Sequence, residues 1–171
     1  MLNIPFYAII DDERDVIARS HERAQGSSMA KQSILIVDDG PYLPSLLQPM
    51  LSSLSGDIEI KVAGSGREAE EKAQRETFDV VIANMFMQEM TGLELACLLQ
   101  LVAPQTRFIL ITDHHLDIIE EAARLLQIYE YLVKPFSYYR LREIVQKALQ
   151  SSADEKRRLG YMSRYSEHGS V

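Results

Sequence analysis

Between residues 33 and 150 the chain alternates two hydrophobic periods. Aliphatic and β-branched runs, ILIV at 34–37, IEIKVA at 58–63, DVVIAN at 79–84, RFILIT at 107–112 and YEYLV at 129–133, are each followed by a stretch with apolar residues every three or four positions. The runs predict strands and the stretches predict amphipathic helices. Those helices fall at Tyr42 to Leu54, 64–76, Thr91 to Leu101, Leu116 to Gln127, and Ser137 to at least Gln150. RFILIT is nearly all apolar, as a strand covered on both faces must be, whereas YEYLV alternates and suits an edge. Five such strand and helix pairs predict a parallel sheet with right-handed crossovers and helices on both faces.

Local signals refine the picture. Pro44 and especially Pro49 fall where helical hydrogen bonds are needed, so a kink or late start is expected in the first helix. Thr91 with Glu94 three residues on reads as a capping box. Gly64-Ser65-Gly66 lacks the longer glycine fingerprint and the Lys-Ser/Thr ending of phosphate loops, and reads as a turn. Cys97, the one cysteine, cannot form an internal disulfide and is expected as a small buried residue. Residues 1–32 form an N-terminal extension, a strand-like IPFYAII, a charged DDERDVIARSHERAQ and a GSS linker, whose IIDDERDV echoes ILIVDDGP. This extension is too short to complete a second copy and reads as a loosely attached segment, with a partner-binding arm as its functional alternative. Residues 151–171 are a helical extension and polar tail, with EKRR a solvated helix face and no room for a helix-turn-helix output domain.

Composition excludes more than it selects. Acidic residues number 25 against 18 basic ones, a formal charge of −7, which works against direct nucleic-acid binding. No apolar run approaches the ~20 residues of a membrane span, and Asp11, Asp12 and Glu13 interrupt the N-terminal one. A soluble, cytoplasmic chain without a membrane partner is expected.

The chemistry concentrates where the strands end. In an open parallel sheet ligands sit beyond the carboxyl ends of the strands, and here those ends carry Asp38 and Asp39, Asn84, Thr112 and Lys134. Paired acids can hold a hard cation such as Mg²⁺, a threonine hydroxyl can bond a tetrahedral oxyanion, and a lysine can neutralise it. The set suits phosphoryl chemistry, except at its centre. The Asn84 carboxamide has its nitrogen lone pair delocalised and cannot serve as a nucleophile towards phosphorus.

With ILIVDD, DVVIAN followed by Met90 to Gly92, ILIT and YLVKPF in this order and spacing, residues 33 to about 150 resemble the receiver domain of bacterial two-component response regulators, the family of the single-domain chemotaxis regulator. The resemblance implies a flavodoxin-like α/β fold, a five-stranded parallel sheet in order 2-1-3-4-5 between two helix layers. It further implies an acceptor aspartate at position 84, phosphorylated by a histidine kinase with Mg²⁺ held at Asp39, residue 84 and Phe86. Thr112 and Tyr131 are the implied switch, Lys134 the phosphate contact, and Pro135 the residue after a cis peptide. Signal would leave through the fourth helix, fifth strand and fifth helix, towards a kinase, another signalling protein or a second copy.

Several positions depart from that pattern: Asn84 for the acceptor aspartate, Gln88 for a loop proline, Asp113 for a small residue, and Gln127-Ile128 for a Gly-Ala helix end. Asp113 would repel a dianion, and an amide oxygen in place of a carboxylate should leave Mg²⁺ weakly bound or absent. The expectation is a pseudo-receiver, not an enzyme, acting by protein contact without phosphorylation at Asn84. One alternative keeps the relay through another carboxylate, such as Asp38, Asp39 or Asp113, or through a heterodimer partner. Another is a flavodoxin-like domain binding nucleotide or flavin, against which the missing glycine loop counts.

Overall fold

The computed structural model describes residues 31–54 and 56–166, with side chains as far as Leu159. Readings for residues 1–30 and for the last residues of the tail lie outside the described residues. Five strands, β1 (Gln32–Val37), β2 (Ile58–Ala63), β3 (Val80–Asn84), β4 (Arg107–Thr112) and β5 (Glu130–Val133), make one sheet in the order β2-β1-β3-β4-β5. Every pairing is parallel. Five helices alternate with them: α1 (Tyr42–Ser52), α2 (Gly66–Arg75), α3 (Gly92–Val102), α4 (Asp117–Leu125) and α5 (Tyr138–Ser166). This is the flavodoxin-like three-layer architecture expected, with β5 at an edge.

Period-two alternation sorts the strand side chains between two cores. Ile34, Ile36, Ile82, Ile109, Ile111 and Leu132 face α1 and α5, which supply Leu43, Leu47, Leu51, Leu141 and Val145. Leu35, Val37, Val81, Ala83 and Leu110 face the other way, onto Ala69 of α2, Leu95 and Leu99 of α3 and Ile119 of α4. Each fully buried Ile or Leu contributes about 1.5–3 kcal/mol, so these layers hold the strand ends in register.

Two local expectations change. The first helix does not start late: it runs from Tyr42 to Ser52 with Pro49 inside. Pro44 falls in the first turn, where an N–H has no helical partner, and Pro49 forfeits one hydrogen bond while Leu47, Met50 and Leu51 on either side are buried. Cys97 is exposed, not buried. The inward positions of α3 are Leu95, Ala96 and Leu99, and Cys97 lies about 200° around the helix from Leu95.

The final helix continues past Gln150 and is attached to the sheet at the end opposite the strand tips. Asp79, 3% exposed at the entrance to β3, accepts at Oδ1 from Ser152 Oγ (2.8 Å) and Lys156 Nζ (2.8 Å). Its Oδ2 accepts from the Ser33 N–H at 3.0 Å. Arg107 at the start of β4 adds a bond from Nε to Ser151 Oγ (3.1 Å) and a pair with Glu155 (3.8 Å). Lys156 of the EKRR run is therefore a tether, while Arg157 and Arg158 are solvated.

Candidate functional site

Register brings the predicted residues to one edge. Val37 pairs with Ala83, Asn84 with Ile111 and Thr112 with Val133, so the residues at or just past these strand ends line a single crevice. Gly92 at the start of α3 packs directly behind it. A Cβ there would lie 2.6 Å from the Asn84 carbonyl oxygen and 2.5 Å from Leu110 Cδ1, so only glycine allows this approach. Thr91 caps the helix in the expected capping box with Glu94. The Thr91 N–H and hydroxyl hold the Glu94 carboxyl below its ordinary value.

Asn84 is at the centre and makes two bonds from one nitrogen. Its Nδ2 donates to Asp38 Oδ1 (2.9 Å) and to the Phe86 carbonyl (2.9 Å). Both neighbours are acceptors, so the amide must present nitrogen to them; reversed, it would set three oxygens together. Its own Oδ1 is buried without a hydrogen-bond partner. Asp38, 6% exposed, is completed by the Leu43 N–H at 3.2 Å, in the first turn of α1, where the helix dipole favours an anion. Asp39 Oδ2 accepts from the Gln88 N–H at 2.8 Å, which joins the loop after β1 to the loop after β3.

Lys134 reaches the same edge and turns to the side. Its Nζ pairs with Asp113 at 3.3 Å to Oδ1 and 3.4 Å to Oδ2, and lies 5.9 Å from the centroid of the Tyr42 ring. Thr112 is fully buried, and its Oγ1 accepts from the His114 N–H (3.3 Å) and donates to the His114 carbonyl (3.2 Å). The Tyr131 hydroxyl donates to that same carbonyl at 3.1 Å. Thus Asp38 and Asn84 meet directly and Asp39 joins through Gln88, whereas Lys134, Thr112 and Tyr131 are gathered by Asp113 and His114. The Lys134–Pro135 peptide is cis.

These oxygens do not fit a divalent cation as they stand. The Phe86 carbonyl and Asp38 Oδ1 face the Asn84 amide hydrogens, and one of the two Asp39 oxygens, Oδ2, is engaged by the Gln88 N–H.

Sequence reasoning overlooked Asp79, Gln88 as a donor, and His114. The bonds of Asp79 to Ser152 and Lys156 span 73 and 77 positions, and that of Gln88 to Asp39 spans 49, so spacing carries no sign of them.

The chain is similar to known signalling proteins. PilR, a response regulator protein of Pseudomonas aeruginosa, is 34% identical over 122 residues, covering 71% of this chain and 27% of that protein. The transcriptional regulatory protein GlrR of Escherichia coli is 33% identical over 134 residues, covering 77% and 30%. The chain therefore spans under a third of the length of these curated relatives. The chemotaxis protein CheY4 of Vibrio cholerae superposes with a TM-score of 0.63 at 28% identity, over 70% of this chain and 99% of that one. The response regulator TrrA of Thermotoga maritima, solved with Mg²⁺ and BeF, gives 0.61 at 31%, over 68% and 98%. Residues 34–146 match the family described as the response regulator receiver domain, and with that match the chain belongs to the receiver domains of two-component response regulators.

Proposed function

We propose that this receiver domain signals by binding a protein partner, with no phosphoryl group carried at Asn84 and no requirement for Mg²⁺. The observation that carries the reading is the Asn84 amide, whose nitrogen has no lone pair to offer and has both hydrogens engaged by Asp38 and Phe86. A weaker hold on Mg²⁺ follows from replacing an anionic ligand by an amide oxygen. The partner is a histidine kinase, another signalling protein or a second copy, and the surface is that of α4, β5 and α5. That surface presents exposed apolar Ile118 (78% exposed) and Leu125 (69%) together with Tyr139 (79%), an aromatic of the kind that anchors interfaces.

The test is incubation of the chain with a small acyl-phosphate donor and Mg²⁺, followed by intact-mass measurement. The expected spectrum is unchanged, whereas the Asn84→Asp variant gains one phosphoryl mass. A phosphoryl adduct on the unmodified sequence would refute the reading.

A further inference from the structure

The three departures around the crevice share one structural consequence. Each supplies the partner that satisfies a crevice group which would otherwise look outwards for a ligand. The Asn84 amide hydrogens bridge Asp38 Oδ1 and the Phe86 carbonyl, 2.9 Å from each, drawing an anionic and a carbonyl oxygen together as a small cation would. Gln88 has a backbone N–H, which a proline at that position could not give, and it donates that hydrogen to Asp39 at 2.8 Å. Asp113 supplies a carboxylate to Lys134 at 3.3 Å, where a small side chain would leave the ammonium for an incoming anion. The buried polar atom left over, Asn84 Oδ1, cannot be reached by a ligand until the amide turns and breaks both of its bonds.

We propose that the crevice is sealed by its own side chains: Asn84, Gln88 and Asp113 act together as an internal replacement for cation and anion, holding one crevice conformation without a ligand. The seal reaches the switch residues through its neighbour. Asp113 anchors the loop whose next residue, His114, receives both the Thr112 and Tyr131 hydroxyls at 3.2 and 3.1 Å. The position of Tyr131 is then set by this loop and not by what the crevice binds. The proposal rests on the functional reading above and extends it, because it makes Asn84 one of three cooperating residues and not the sole lesion.

The test measures Mg²⁺ affinity from backbone amide shifts in the full chain. It compares the natural sequence, Asn84→Asp, Asn84→Asp with Gln88→Pro, and Asn84→Asp with Asp113→Ala, the variants also titrated with beryllofluoride at saturating Mg²⁺. The natural sequence should show no saturable shifts at Ile82–Gln88 with millimolar Mg²⁺, and Asn84→Asp should bind it. Freeing Asp39 with Gln88→Pro should tighten Mg²⁺ about fivefold over Asn84→Asp, the worth of one modest hydrogen bond, whereas freeing Lys134 with Asp113→Ala should tighten the anion beryllofluoride by a similar factor without tightening Mg²⁺. The Asp113→Ala variant adds no proline, and its beryllofluoride affinity decides the matter if the Gln88→Pro variant does not fold. Beryllofluoride affinity unchanged by Asp113→Ala, or Mg²⁺ binding by the natural sequence as tight as by Asn84→Asp, would overturn the proposal. A phosphoryl adduct at Asn84 would instead overturn the functional reading, so the two fail on different measurements.

Discussion

Removing the Asp79 carboxylate should cost more than any surface change in this chain, and should cost it at the end of the sheet remote from the crevice. In Asp79→Ala, the Ser152 hydroxyl, fully buried, and the part-buried Ser33 N–H lose their acceptor, at about 1–3 kcal/mol each. Lys156, with 40% of its side chain exposed, adds under about 1 kcal/mol, because water replaces most of what it loses. The desolvation cost of the carboxylate is recovered on its removal, so the net loss should be about 3–4 kcal/mol. At this chain length that corresponds to a fall in melting temperature of roughly 10 °C. Urea unfolding followed by far-UV circular dichroism is the suitable assay, since the chain has no tryptophan to report by fluorescence. Ser152→Ala with Lys156→Met should lose most of the same stability, and adding Asp79→Ala to that pair should then cost much less than it does alone. A loss under about 1 kcal/mol for Asp79→Ala, or full additivity of the three changes, would show that the long helix is not held to the sheet by this carboxylate.

Three further outcomes follow from the geometry. Gln127 holds a left-handed φ of 51° at the end of α4, with the Ile128 N–H on the Ala123 carbonyl and the Gln127 N–H on that of Arg124, so Gln127→Gly should stabilise by about 0.5–1 kcal/mol in the same urea assay. Gly92→Ala places a methyl group 2.6 Å from the Asn84 carbonyl oxygen, and should both lower stability by about 1–3 kcal/mol and shift the amide resonances of Met85 and Asn84. Glu94 has its pKa held below its unfolded value of 4.5, chiefly by the Thr91 N–H, so its stabilisation is present above that pH and is lost as pH falls through the folded value. Glu94→Gln, which keeps the capping geometry without titrating, should flatten that part of the acid unfolding curve.

The amino-acid pattern by itself determined the architecture, because burial has a period that local sequence must match. Ile34 and Ile36 on one face and Leu35 and Val37 on the other are legible as a doubly covered strand, and IEIKVA and RFILIT stand as strands within the limits read from the sequence. The meeting of Asp38 with Asn84 was also legible, since parallel strands that end together must put their next residues on one edge. What a side chain does once it arrives there was decided by tertiary structure alone. Lys134 turns to its neighbour Asp113, Gln88 finds Asp39 across two loops, and Asp79 meets a helix 73 residues further on. Hydrogen bonds depend on angles and distances within tenths of an ångström, and no periodicity encodes them. The outward face of Cys97 belongs to the same class: an almost wholly apolar helix gives no contrast from which its buried side can be read, so only the sheet beneath it chooses.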